Sequence, residues 1–257
     1  MKLQVKDLFE ENEFFRMLKL RYEIGDQTIF LTTGNTNSGK TVFNVLLYYL
    51  IKKGILKEKI DLKKCRMYFS IVDFAKEITK LRDEIIFYDE AGAELDIGEW
   101  NNIFNKIMRH ILQTQRIQRN FYFILLPHIR YISYVLLPLF TFHIITERKV
   151  IPKKNGYEIE RIATINKIFA QQQFSEMRNY YDIRLVAQLR IPDITKIRNK
   201  DFRELYQRFH QIEIRKKKEI ARKIEEEAKM YLLKEKTKLM KIKRTYDQEK
   251  QKLKDVK

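Results

Sequence analysis

Runs of consecutive apolar residues alternate along most of this chain with segments whose apolar residues fall every three or four positions. Residues 28–33 (Thr-Ile-Phe-Leu-Thr-Thr) form a β-rich apolar stretch. Residues 85–88 (Ile-Ile-Phe-Tyr) and 121–126 (Phe-Tyr-Phe-Ile-Leu-Leu) read as strands buried on both faces, the pattern of a parallel sheet. Residues 66–70 predict a shorter strand. Residues 42–50 carry apolar side chains on a helical face, and the helix is expected to end near Lys53, with Gly54 as its stop. Ile71, Phe74, Ile78 and Leu81 predict a helix over 71–81. Trp100, Ile103, Phe104, Ile107, Ile111 and Leu112 predict another over 99–118. At the start, Leu8, Phe14, Phe15, Leu18 and Leu20 suggest an amphipathic helix over residues 5–20.

Beyond residue 140 the pattern changes. Residues 141–148 alternate like a strand, Asn155-Gly156 is a hairpin turn, and residues 157–168 return, extending one edge of the sheet. Residues 171–191 read as irregular, and after Pro192-Asp193 a very long helical stretch begins. The expected organisation is an N-terminal helical segment (1–24), an α/β domain (25–192) with the hairpin near 142–168, and a helical tail (193–257).

The chemistry sits at two strand ends. Gly34-Asn35-Thr36-Asn37-Ser38-Gly39-Lys40-Thr41 fits G-x-x-x-x-G-K-[ST] between a strand and a helix, where backbone N–H groups and the helix dipole cradle phosphates. Lys40 is expected to bridge the β- and γ-phosphates of ATP, and the Thr41 hydroxyl to help hold Mg²⁺. The run 84–90 ends in Asp89-Glu90, two carboxylates at the end of a buried strand, where ligands bind in open α/β sheets. Asp89 is the expected metal residue and Glu90 the residue that polarises the attacking water. His128, just past the run 121–126, is the candidate sensor of the γ-phosphate. Of the neighbouring Arg109, Arg116, Arg119 and Arg130, Arg116 and Arg119 are the candidates for an arginine finger to a neighbouring subunit. These motifs predict a P-loop NTPase of the ASCE (RecA-like) kind: a three-layer α/β/α sandwich on a mostly parallel sheet, followed by the long helical extension. The N-K-x-D motif of GTPases is absent.

Charge points to a partner. The 257 residues hold 52 Lys and Arg against 34 Asp and Glu, a net charge of +18, which favours a polyanion such as nucleic acid or an anionic membrane surface. From residue 203 onward there are 19 Lys and Arg against 10 Asp and Glu. Leu232, Leu239, Tyr246 and Leu253 recur there at sevens, but Ala228, Glu235 and Glu249 at the partner positions specify no firm coiled coil. A solvated basic helix and a helix that grips DNA phosphates both fit. The single cysteine, Cys65, excludes an intrachain disulfide and a cysteine-based zinc site, and reads as a passive thiol. No signal peptide is evident at the start, and the most apolar run, 131–145, is short for a bilayer and interrupted by Pro138 and His143. A protein without an integral membrane segment, in the cytoplasm, is expected.

On Gly34 to Thr41, Ile85 to Glu90 and the Gln-Arg-rich residues 113–119 with the strand after them, the chain resembles the FtsK–HerA superfamily of DNA-pumping ATPases. It is most similar to the small viral genome-packaging and Zot-like members, including ATPases of archaeal viruses and plasmids. The resemblance spans residues 27–145 and leaves the tail outside. It implies a homo-hexameric ring around double-stranded DNA, Mg-ATP hydrolysis between subunits, an arginine finger given in trans, and capsid or other virion proteins as further partners. Viral genome packaging or plasmid DNA transfer is the function it implies, in the host cytoplasm if viral. Two other readings stay open: a Zot-like virion assembly or secretion ATPase acting on protein at a membrane, and an ATP-switched partition or regulatory protein.

Overall fold

In the computed structural model, the described residues are 12–78, 80–89, 106, 110, 118–132, 137–153, 156–171 and 180–255. They divide into two compact units at residues 210 and 211.

The first unit is built on one seven-stranded sheet. Its strands are β1 (Thr28–Gly34), β2 (Arg66–Tyr68), β3 (Ile85–Asp89), β4 (Phe121–Leu126), β5 (Phe142–Lys153), β6 (Gly156–Gln171) and β7 (Tyr180–Arg190), in the order β2-β3-β4-β1-β5-β6-β7. The pairs β2–β3, β3–β4, β4–β1 and β1–β5 are parallel, whereas β5–β6 and β6–β7 are antiparallel. Strand β4 therefore stands between the strand that leads into the glycine-rich loop and the strand that ends in Asp89. With helices on both faces of a mostly parallel sheet, this is a three-layer α/β/α P-loop NTPase architecture.

Register in the parallel part is fixed by rings. Phe87, Phe123, Phe30 and Phe142 occupy directly matched positions on β3, β4, β1 and β5. Their rings stack in sequence, with centroid separations of 4.8 Å, 4.6 Å and 5.7 Å and interplanar angles of 11°, 24° and 19°. Over this face lies α1 (Glu13–Glu23), whose Phe14 meets Phe142 edge-on at 5.1 Å, and α2 (Lys40–Gly54), whose Tyr48 stands 6.0 Å from Phe87. The opposite face holds Ile29, Leu31, Ile86, Tyr88, Tyr122 and Ile124 against Phe74 and Ile78 of α3 (Ile71–Ile78). Burial on both faces is why β3 and β4 are apolar without alternation.

Local chemistry sets the ends. Asn12 caps α1, its side chain accepting from Phe14 N–H at 3.0 Å. Gly25, at φ 87°, follows the C-terminus of α1 in the left-handed conformation that closes helices. Buried Asn120 ties two strand starts together, accepting from Glu84 N–H at 2.9 Å and donating to the Leu81 carbonyl at 2.8 Å.

Several expectations shift. Gly54 is the last residue of α2 rather than its left-handed stop, and Lys57 (φ 54°) is the left-handed residue of that turn. Helix α3 ends at Ile78 rather than 81, and Leu20 is exposed. The helix expected over 99–118 falls almost wholly outside the described residues, as does the start of the one expected over 5–20. The main correction concerns residues 171–191, which are not irregular throughout: β7 pairs with β6. Its pattern hid because Ala187 pairs with Ile165 while Leu185 pairs with Asn166, which leaves Val186 as an extra residue and reverses the alternation midway.

The last helix, α4 (Lys200–Asp255), starts in the first unit. Asn199 caps it at Phe202 N–H (2.9 Å), and Phe202, Leu205 and Phe209 are buried there, Phe209 lying 4.7 Å from Phe87 and 5.4 Å from Tyr48. The second unit, residues 211–257, is helical through residue 255. Ion pairs one turn apart run along it, including Arg215–Glu219, Lys217–Glu213, Arg222–Glu226 and Lys229–Glu225, while Tyr231, Leu232 and Leu239 are exposed. Among the described residues, no helix is long and apolar enough to cross a membrane.

Phe123, like Phe30, has a stacked neighbour on each side. Phe123→Ala is expected to cost about 3–5 kcal/mol of unfolding free energy, read from urea titration as a lowered midpoint, and Phe123→Leu clearly less.

Candidate functional site

The loop of residues 35–39 leaves β1 at Gly34 and enters α2 at Lys40. Three left-handed residues shape it: Gly34 (φ 152°), Asn37 (φ 63°) and Gly39 (φ 98°). Asparagine is among the few side chains that tolerate this region, and glycine fills the other two places. At Gly34 the reason is also steric, because a Cβ there would lie 2.4 Å from the Thr146 carbonyl and 2.3 Å from its Oγ1. Gly39, the N-cap of α2, has no side chain to cap the helix, and the first turn holds no acidic residue. The N–H groups and positive end of the dipole are left for an anion.

A buried polar network supports the loop from behind. Ser38 Oγ lies 2.7 Å from Thr146 Oγ1, which donates to the Thr33 carbonyl at 3.2 Å. Thr33 Oγ1 meets His143 Nε2 at 2.9 Å. Thr32 donates to Asn44 Oδ1 at 2.9 Å, and Asn44 Nδ2 donates to the Lys40 carbonyl at 2.8 Å, bracing the first turn of α2. Burial holds His143 neutral by pushing its pKa down to about 4.

Lys40 Nζ donates to the carbonyls of Gly34 and, at 3.1 Å, Asn35. The ammonium is thus folded onto the loop's own backbone, within reach of whatever the loop encloses. Thr41 follows, half-buried, in the first turn of α2. Two strands away, Asp89 ends β3 in register with Leu125, which pairs in turn with Thr32. Asp89 therefore stands level with Thr32, two residues before β1 ends at Gly34, about 10 Å across the sheet. A hydroxyl and a carboxylate are hard oxygen donors, the kind that hold Mg²⁺ together with phosphate oxygens, and the uncapped first turn of α2 offers N–H groups to an anion. The residues present fit Mg-ATP.

A cavity of about 650 Å³ opens beside the loop, lined by Gly34, Ser38, His128, His143, Thr146 and Arg148 among others. His128 thus reaches the site. Its Nδ1 accepts from Arg130 N–H at 3.1 Å, which places the proton of the neutral ring on Nε2. Arg119 is not brought to the loop of its own chain. It precedes β4 at the opposite end of the sheet, bonded to Asp83 at 2.7 Å and lying 5.1 Å over the Tyr22 ring. Glu90 and Arg116 lie outside the described residues. Cys65 carries a thiol that burial, foremost, pushes up to about 11, so it stays protonated at neutral pH.

Sequence reasoning did not single out His143, Thr146 or Arg161. The first two lie on β5 in register with Leu31 and Gly34 of β1, a signal usable only once β5 is known to flank β1. Arg161 gave none; its Nε donates to the Asn37 carbonyl at 3.3 Å across 124 residues.

No family model matches the chain, and no curated protein matches it either. Among solved structures it is similar to the N-terminal domain of zonular occludens toxin from Neisseria meningitidis. That likeness has 17% identity and a TM-score of 0.35, covering 63% of this chain and 95% of that one. It is also similar to the flagellar accessory protein FlaH from Methanocaldococcus jannaschii, at 12% identity and a TM-score of 0.33, covering 72% and 95%. Likenesses at these scores carry no argument about function. The fold rests on the strand order and the loop described above.

Two predictions follow from the loop's supports. Gly34→Ala forces a Cβ into the Thr146 backbone, and thermal unfolding should show a loss of about 1–3 kcal/mol. His143 titrates near 4 when folded against an ordinary 6.5, so the unfolded chain binds the extra proton between those values. Its contribution is fully present above pH 6.5 and is lost as pH falls toward 4, on the order of 3 kcal/mol in all. Urea titrations across that window should show a shallower pH slope for His143→Gln than for the unmodified protein.

Proposed function

We propose that this chain is an Mg-dependent ATPase that moves double-stranded DNA, working as a ring with its ATP sites between subunits, as the resemblance to the FtsK–HerA superfamily implies. Viral genome packaging or plasmid transfer is the setting that resemblance favours. The observation that carries the ATPase reading is the convergence of the glycine loop, Lys40 and Asp89 at one end of a sheet in which β4 separates the two motif strands.

The steps assigned to this chain's residues are these. Loop N–H groups and the start of α2 bind the phosphates, and Lys40 exchanges the Gly34 and Asn35 carbonyls for β- and γ-phosphate oxygens. Thr41 and Asp89 would hold Mg²⁺, which would supply positive charge to offset that developing on the phosphates. Glu90 orients and polarises the attacking water, and His128 offers its Nε2–H toward the γ-phosphate. An arginine of a neighbouring subunit, Arg116 or Arg119, completes the site. Arg119 would have to give up Asp83 to do so.

DNA as the cargo is supported by charge: +18 overall, with 19 Lys and Arg after residue 202 against 10 Asp and Glu.

The test is ATP hydrolysis by purified protein with and without duplex DNA across a salt series. Lys40→Ala should lose turnover by more than about 100-fold, and Glu90→Gln should retain ATP binding while turning over very slowly. DNA should raise the rate at low salt and lose its effect as salt increases. A rate indifferent to DNA at every salt concentration overturns the translocase reading and leaves the ATPase one standing.

A further inference from the structure

The structure assigns to Arg161 a positioning role: it clamps the outer side of the phosphate-binding loop and ties the loop's shape to the β5–β6 hairpin. The inference rests on the nucleotide reading of that loop.

Three observations carry it. Arg161 Nε donates to the carbonyl of Asn37, the one non-glycine loop residue with positive φ (63°), at 3.3 Å. Holding that carbonyl outward fixes the peptide plane that joins Asn37 to Ser38, which directs the Ser38 N–H. Second, the arginine stem packs against the loop's last residue: a Cβ on Gly39 would lie 3.1 Å from Arg161 Cδ and 3.1 Å from Ile191 Cδ1. Third, the clamp has a fixed base, since the Arg161 carbonyl accepts from Ile191 N–H at 2.8 Å where the chain leaves β7. Loop, β6 and the exit of β7 therefore meet at one side chain.

The surrounding charges give the clamp a reason to be an arginine. Arg148 stands directly opposite Arg161 in the β5–β6 register, so two guanidinium groups share a face at the rim of the site, and Arg148 lines the cavity. Like charges placed opposite one another are unfavourable in a sheet unless an anion offsets them. Asp193 is a carboxylate on this side: it accepts from the Thr195 hydroxyl and N–H at 2.8 Å and 3.0 Å, and those bonds, with the charges of Lys196 and Arg161, hold its pKa below the ordinary value. Glu158 and Glu160 belong to the alternate face of β6, where both are paired with Arg190. Asp193 offsets part of the Arg161 charge and Glu147 also lines the cavity, and a triphosphate in the loop would add further negative charge opposite the two guanidinium groups. Arg161 thus does two things from one position: it shapes the cradle through Nε, and its charge favours an occupied cradle over an empty one.

Arg161→Ala should loosen the loop in the nucleotide-free protein and weaken ATP binding, with the chemistry left to Lys40, Asp89 and Glu90. Hydrogen exchange is read at the Ser38 amide, which is bonded to the Asn35 carbonyl at 3.1 Å and so reports loop closure. The expected results are faster exchange at Ser38, a KM for ATP raised about tenfold and a kcat within about twofold of the parent. Arg161→Lys should recover most of the KM, because an ammonium supplies both a donor and a charge. Unchanged Ser38 exchange in Arg161→Ala overturns the positioning role, whether or not the protein hydrolyses ATP. Changed exchange in a protein that binds no ATP supports the clamp and overturns the nucleotide reading instead. An equal fall in kcat and kcat/KM with KM unchanged would make Arg161 a catalytic group and overturn the role assigned here.

Discussion

Four phenylalanine rings, on β3, β4, β1 and β5, set the frame on which the site depends. A parallel pair of strands has evenly spaced hydrogen bonds and no tight turn to fix its register, so side chains must do so. Here Phe87, Phe123, Phe30 and Phe142 stack across matched positions. A slip of β4 or β1 would break two stacking contacts and a slip of β3 or β5 one, and a one-residue slip turns the strand's apolar residues the wrong way. The consequence appears at the far end of the same strands. With the rings aligned, Gly34, Asp89, Pro127 and Thr146 all arrive at one edge of the sheet, which is where the chemistry is.

At that edge stability and function make opposite demands. The loop needs left-handed residues, uncapped helix N–H groups and an open cradle, each a local cost. The cost is offset from behind by hydroxyls, an amide and a neutral histidine, nearly all hydrogen-bonded to one another beneath the loop. Thr146 is the central member. Its hydroxyl bonds both Ser38 and Thr33, and its backbone comes so close to Gly34 that no larger residue fits there. The glycine at the start of the motif is thus required by the strand next door, through Thr146, as well as by its own positive φ.

Charge is distributed by position rather than spread evenly. In the first unit cations near the site have geometric tasks: Lys40 on the loop carbonyls, Arg161 on the loop crest, Arg148 at the rim. In the second unit, Lys and Arg lie on a helix whose acidic partners sit one turn away, a solvated arrangement that still leaves an excess of positive charge.

What the sequence determined by itself was everything local. The glycine-rich motif, the wholly apolar strands and the antiparallel pair β5–β6 are legible because turn chemistry, burial on both faces and strand periodicity act over a few residues; the Asn155 of the expected turn lies outside the described residues. Those signals located Gly34 to Thr41 and Asp89 correctly at strand ends. Only the tertiary structure decided which strands are neighbours, since nothing near β4 states that it will lie between β1 and β3. The same holds for contacts that bridge the chain: His143 to Thr33 across 110 residues, and Arg161 to Asn37 across 124. Strand β7 was hidden for a related reason. A bulge at Val186 reverses its alternation, and the register that absorbs the extra residue belongs to the pair of strands rather than to either one.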